Sequence, residues 1–269
     1  MKKGILLAAA ILLSAAGFAQ AQEGELSGSA NLTFLSSYIW RGYDWYRNNG
    51  PAVQLGMDLN FYDTGFGLSI VNTRALKSGN GFGNISHQNL ERIDLTLSYN
   101  NNLFEGQQYA TDYKLGWVYY NFPDSSSNYM DMQELFLSLS WPEMCPRGIV
   151  PSYTIVCLWP SESNSWIDTQ TGGAGGWLHI VGVGYDWTIP GFVPETPEQI
   201  LHLSADLVYN DGVFGADHDW SHGTLGVSTM FNIVENLTLT PGLYYQVSMD
   251  DSVNDKDEFW VSLGLSYKF

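Results

Sequence analysis

Six of the last eleven residues, Phe259, Val261, Leu263, Leu265, Tyr267 and Phe269, are apolar or aromatic and fall at every second position. Trp260, Ser262, Gly264, Ser266 and Lys268 lie between them. Successive side chains of a strand point to opposite faces, so this segment presents one unbroken apolar face and one mostly small or polar face. The same alternation recurs upstream and predicts twelve strands: Leu26–Gly42, Ala52–Phe61, Phe66–Asn72, Leu90–Tyr99, Tyr113–Tyr120, Met132–Trp141, Val150–Trp159, Trp177–Trp187, Leu201–Tyr209, Thr224–Phe231, Leu237–Met249 and Phe259–Phe269. In the second, Val53, Leu55, Met57 and Leu59 oppose Gln54, Gly56, Asp58 and Asn60. In the eighth, Val181, Val183, Tyr185 and Trp187 oppose Gly182, Gly184 and Asp186. Pro151 cannot donate to a ladder and makes the seventh the least regular.

An apolar face this continuous suits hydrocarbon, and the small polar face suits a watery lumen. The expectation is an all-β protein, a transmembrane antiparallel up-and-down β-barrel of about twelve strands, of the bacterial outer-membrane kind. Connections after even strands, such as Tyr62–Gly65, are generally shorter than the odd ones at Lys77–Asn84, Asp124–Asn128, Ser161–Gly176, Asp211–Ser221 and Asp250–Glu258. Pro190–Pro197 reads as an unusually long turn. Short periplasmic turns, long external loops and an even strand count put both termini in the periplasm. Tyr38, Trp40, Trp159, Trp177, Tyr209, Tyr245 and Phe259 are expected in an outer aromatic girdle, and Phe61, Tyr99, Trp141, Trp187, Phe231 and Phe269 in an inner one, where amphipathic rings meet lipid and water. A final Phe269 after an alternating strand resembles the signal read by the barrel-assembly machinery, which makes that machinery an expected partner alongside outer-membrane lipid and lipopolysaccharide.

The amino terminus adds the expectation of export. Lys2 and Lys3 precede an apolar run, Gly4–Gly17, and Ala19-Gln20-Ala21 is a small-x-small cleavage site, so residues 1–21 read as a signal peptide and 22–269 as one barrel domain. Removing Lys2 and Lys3 takes Lys+Arg from 11 to 9 against 28 acids, a formal charge of −19. So acidic a chain is not expected to bind nucleic acid, which needs a basic footprint. Cys145 falls in a turn and Cys157 well up the next strand, beyond disulfide reach. No cofactor is expected.

Ser37-Tyr38-Ile39-Trp40-Arg41-Gly42, followed by Pro51-Ala52-Val53-Gln54, resembles the amino-terminal signature of the Gcw-type conserved hypothetical proteins, roughly S-x-Y-x-[FW]-R-G, a short gap and P-A-x-Q. Ser36 supplies the Ser, since Ser37 directly precedes Tyr38 where the family often has an acidic residue. The resemblance implies an exported outer-membrane barrel and no particular activity.

Candidate chemistry lies with the charges expected to face the lumen: Arg41, Asp58, Arg92, Asp94, Lys114, Glu134, Asp186, Asp206 and Lys268. They either pair and stiffen the interior or line a solute pathway. Arg41 is expected at the external end of the first strand beside Tyr43, Trp45, Tyr46 and Arg47, a set suited to binding a sugar or anion or to anchoring in lipopolysaccharide. Asp250, Asp251, Asp255, Asp257 and Glu258 lack the spacing of a calcium loop and read as a solvated external loop. His218 and His222 have H-x3-H spacing, but in a loop, so no metal site is expected. His179 points toward lipid without a Ser on the same face, which argues against a wall-mounted hydrolase. The reading is therefore not an enzyme but a porin-like channel or binding barrel for small cationic or neutral solutes. A structural or surface-interaction barrel with a plugged lumen, and a membrane-embedded lipid-modifying enzyme, are the alternatives.

Overall fold

The computed structural model describes residues 26–46, 50–76, 91–125, 129–193 and 196–269. The expected signal peptide and the loop Lys77–Asn84 lie outside them. Alternation produces strands nearly throughout: β1 Ser27–Leu35, β2 Ile39–Trp40, β3 Tyr43–Asp44, β4 Ala52–Asn60, β5 Phe66–Ala75, β6 Arg92–Leu103, β7 Thr111–Asn121, β8 Met132–Ser140, β9 Ile149–Pro160, β10 Gly176–Val193, β11 Thr196–Asp211, β12 His218–Thr229, β13 Phe231–Val234, β14 Leu237–Ser248 and β15 Glu258–Lys268. Each wall strand pairs antiparallel with its neighbours in sequence, β13 carrying β12 on past Met230. The ring closes where β1 meets β15, with Leu32 opposite Leu265. Among the described residues this is a closed twelve-stranded barrel, with β2 and β3 outside the wall. Closure leaves no sheet edge along the span, which a hydrocarbon medium requires.

The outer surface follows from the alternation. Leu32, Leu55, Ile70, Leu135, Leu225 and Leu243 are 43–56% exposed on successive parts of the ring. Each would be worth roughly 1.5–3 kcal/mol if removed from water, so a belt of them is sustainable only against lipid. Trp177, Tyr245, Phe259, Trp187 and Phe269 are exposed toward the two rims. No helix among the described residues is long and apolar enough to cross a membrane. Cys145 and Cys157 are both free.

The first strand departs from expectation. It stops at Leu35, not Gly42, and its last bond to the wall is Ser36 N–H to the Val261 carbonyl at 2.9 Å. The chain then turns inward. Tyr38 and Trp40, assigned from sequence to the outer girdle, pack inside the barrel. The period-two pattern runs on through them, but a hairpin turn at Arg41 and Gly42, with φ of 54° and 91°, folds the segment back on itself. Pro190–Pro197 is also not a loop: β10 runs to Val193 and β11 starts at Thr196, so a hairpin projects past β9 at the end bearing the chain termini. Pro190 still pairs with Glu198, at the last regular position before the register shifts. Asp211–Ser221 is shorter as a loop than expected, because β12 begins at His218. Glu258 is not in a solvated loop either; it opens β15 and is buried, meeting Lys256 at 3.3 Å. Ser161–Gly176 carries a short helix, α1 Trp166–Thr171, capped by the Ser165 hydroxyl and seated by Ile167 in the core.

Candidate functional site

The described core lies inside the ring, toward the end with the longer loops. Residues Tyr38–Tyr46 form its centre. Trp45 and Tyr46 have no exposed surface, and Tyr38 and Tyr43 are nearly as buried. Five aromatics in nine positions supply enough apolar surface to hold a loop inside the barrel. Trp40 packs edge-on against Trp45 at 5.0 Å and against Tyr120 of β7 at 5.3 Å. Tyr43 meets Phe214 at 5.3 Å, and its hydroxyl donates to the Val213 carbonyl. The Tyr46 hydroxyl donates to the Thr73 carbonyl of β5, and Gln246 of β14 donates to the Gly42 carbonyl at 2.8 Å. The segment thus touches the wall from several sides and plugs it. The expected anchoring of Tyr43, Trp45 and Tyr46 in lipopolysaccharide is replaced by this packing.

One ion pair to the wall and one caged wall arginine fix the plug. Arg41, at the hairpin tip, meets Glu134 of β8 at 2.6 Å, and Tyr120 donates to the other Glu134 oxygen at 2.8 Å. Arg92 of β6 donates through a terminal nitrogen to Asp94, two residues along the same face, at 2.8 Å, and its Nε lies 2.7 Å from the other carboxylate oxygen as a charge contact without hydrogen-bond geometry. Its guanidinium carbon lies 4.4 Å from the Trp40 ring centre, 5.0 Å from Tyr120, 5.4 Å from Tyr38 and 5.7 Å from Trp45. It also donates to the Tyr38 hydroxyl. A desolvated cation in aromatic faces gains roughly 2 kcal/mol or more per good contact. The charge that would be costly to bury alone is balanced by its carboxylate and faced by rings of the plug and of Tyr120.

The remaining sequence-predicted residues are spread out. Asp58 accepts from Asn31 at 2.7 Å and Ser29 at 3.2 Å, across the β1–β4 pair. Asp186 sits exposed near the projecting hairpin, 2.6 Å from His202. Lys114 lines a polar cavity of about 640 Å³ at the terminal end, together with Asn60, Asn100, Asp112, Ser138 and Thr154. Asp206 lines a second cavity of about 190 Å³ directly under the hairpin tip, with Arg41. Lys268 closes β15. His218 and His222, paired by spacing, are separated by the structure: His218 bonds Asp211 on the exposed surface, whereas His222 is buried in the lumen. Asp257 accepts from the Tyr245 hydroxyl at 2.6 Å and the Ser248 amide at 2.9 Å, which holds its carboxyl below the usual range. Among the described residues no group of three or more His, Cys, Asp or Glu is placed to hold a metal. Sequence reasoning missed the parts played by Tyr38, Trp45, Tyr120, Phe214 and Trp260; the density of rings between Tyr38 and Tyr46 beside an Arg-Gly turn was the available signal.

In fold, the chain is similar to the KdgM porin, solved in complex with disordered oligogalacturonate, at a TM-score of 0.51 and 10% identity over 90% of this chain and 99% of that one. It is similar to the NanC porin at 0.52 and 10%, covering 90% and 100%. An outer-membrane channel from Pseudomonas putida F1 matches at 0.53 and 12%, covering 91% and 96%. At such identities the likeness is one of fold alone. No curated protein matches the sequence. Residues 19–234 match the family model Gcw_chp, and the chain belongs to that family of bacterial proteins of unknown function.

Proposed function

We propose that this protein is an outer-membrane channel for small neutral or cationic polar solutes, closed from within by the segment Ser37–Tyr46. The observation that carries the reading is how the plug is attached. Among the described residues its backbone bonds are internal, as in Trp45 N–H to the Tyr38 carbonyl, and it holds the wall through side chains. A segment tied to the wall strands at its ends and held between them by one ion pair, side-chain hydrogen bonds and ring packing is able to move without breaking the barrel ladder. The polar cavity at the terminal end then serves as the solute vestibule, and the acidic balance of the chain disfavours anions. The fold shared with porins is consistent with such a role. In this reading both termini and the vestibule face the periplasm, the plug faces the exterior, and the assembly machinery inserts the barrel through its last strand.

The reading is of a non-enzymatic barrel. His179 hydrogen-bonds the Tyr153 hydroxyl at 2.7 Å, so the partner it has is a phenol rather than an activated nucleophile with an orienting acid. Single-channel recording of the refolded protein tests the proposal. Brief openings are expected from the wild type and sustained ones from Glu134→Gln. Silent membranes with both, in protein shown to be folded, would leave a structural or surface barrel in its place.

A further inference from the structure

We infer that the cavity of about 190 Å³ beneath the hairpin tip is a binding site for one neutral sugar ring. The inference deepens the solute-channel reading and rests on it only for the route by which the sugar arrives. The cavity lies between Arg41 of the hairpin and Asp206, His222, Thr224, Gln246 and Trp260 of β11, β12, β14 and β15. It has room for about six waters, the size class of a hexose.

The hydrogen-bonding groups are mixed in type and partly unspent. The Arg41 Nε–H is buried and has no acceptor among the described residues. Among the described residues Asp206 makes no ion pair or hydrogen bond, so its carboxylate retains accepting capacity for a ligand. Ser221 donates its hydroxyl hydrogen to the Val208 carbonyl at 3.1 Å, so its oxygen accepts from His222 Nδ1 at 2.9 Å. That fixes the proton on Nδ1 and leaves His222 Nε2 as a bare acceptor. Gln246 spends its amide N–H on Gly42 and keeps its carbonyl. Donors and acceptors in alternation suit hydroxyls, which do both. One wall is aromatic: Trp260 is stacked on Tyr244 at 5.3 Å and 13° between planes, a flat face for the C–H side of a pyranose.

Charge narrows the ligand further. An anion would meet Asp206 and the nearby Glu134, and an ammonium would meet Arg41. A neutral polyol satisfies all three. On the terminal side the next lumen-facing positions of β10 and β12 are Gly182 and Gly226, and on β14 Tyr244 is followed by Gly242. A Cβ at Gly226 or Gly242 would come within about 3 Å of Tyr244 ring carbons, so these glycines also seat the platform.

Titration calorimetry on refolded protein in an amine-oxide detergent, which carries no sugar headgroup, tests this. The probes are D-glucose and D-galactose, with D-glucuronate and D-glucosamine as charged counterparts. Saturable binding of at least one neutral hexose is expected, weakened tenfold or more by Asp206→Asn and by Thr224→Val, two small changes that spare the ring stack. Binding of neither hexose, equal or tighter binding of a charged probe, or unchanged affinity in both variants overturns the site. Hexose binding without conductance removes the channel reading and leaves the site; conductance without hexose binding does the reverse.

Discussion

Arg41 and Glu134 stand 93 residues apart in sequence and meet at 2.6 Å, joining the tip of an inward hairpin to the barrel wall. The Glu134 side chain is 2% exposed and the Arg41 side chain 22%. The contact is therefore a mostly desolvated latch, and it spans the one boundary where plug and wall share no backbone ladder.

Removing one partner of such a pair leaves a buried charge uncompensated, at a typical cost of about 3–5 kcal/mol. Glu134→Gln should loosen the plug rather than unfold the wall. Open probability in planar bilayers should rise while the heat-resistant, compact gel migration of the folded barrel persists. Arg41→Gln combined with Glu134→Gln should recover part of the closed state, because neither charge is then stranded.

Arg92 tests the aromatic cage. Arg92→Lys keeps the charge but loses the planar guanidinium that bonds both Asp94 and the Tyr38 hydroxyl and stacks on the rings. Near-ultraviolet circular dichroism from Trp40 and Trp45 should fall markedly, with far-ultraviolet strand signal unchanged. A near-ultraviolet spectrum equal to wild type would show that the cage does not order the rings.

Gly42 is the residue whose backbone allows the hairpin to turn. Its φ is 91°, and a Cβ there would lie 2.5 Å from His222 Nδ1 and 2.8 Å from a Val253 methyl. Gly42→Ala should cost the plug about 1–3 kcal/mol from backbone strain alone, and more from the clash. Gly106, with φ of 74° and nothing near its Cβ position, is the control: Gly106→Ala carries backbone strain only and should leave conductance untouched. Protease sensitivity of the plug segment reads the difference.

The outer wall makes its own prediction. Leu243 is 47% exposed in mid-strand on the lipid side. Leu243→Lys should destabilise the barrel in vesicles by about 2–4 kcal/mol, read from urea unfolding. Ser69→Lys, on the opposite face beside Asp58, should cost little.

Asp257 links one loop to pH. Tyr245 and Ser248 hold its carboxyl below the usual range, so the ordering it contributes is present above the unfolded carboxylate pKa and is lost as pH falls through the lower folded value. At neutral pH, Asp257→Asn should reproduce the acid state. Hydrogen exchange at the Ser248 amide should speed up, and exchange in β15 beyond Val261 should not.

The barrel was legible because a strand between lipid and water must sort its side chains with period two, and eleven of the wall strands show that sorting plainly in Leu, Val and aromatic positions set against Gly, Ser and Asp. The first strand misled for the same reason. Tyr38 and Trp40 continue the alternation of Leu32 and Phe34, yet the rings pack on the inner side of the wall. Alternation reports which residues share a face; it carries no information on whether that face meets lipid or another part of the chain. His218 and His222 were expected in a loop and lie instead in β12, where an extra residue at Ser221, between the Val208 and Tyr209 pairings, shifts the register and sends one to the surface and the other to the lumen.

The wall could be read strand by strand, because each strand's pattern is a local record of the two media it separates. What fills the wall emerged from the folded arrangement. The partners of Arg41 and Arg92 come from different strands, and the pairing of charges with rings depends on distances across the lumen that no local period encodes.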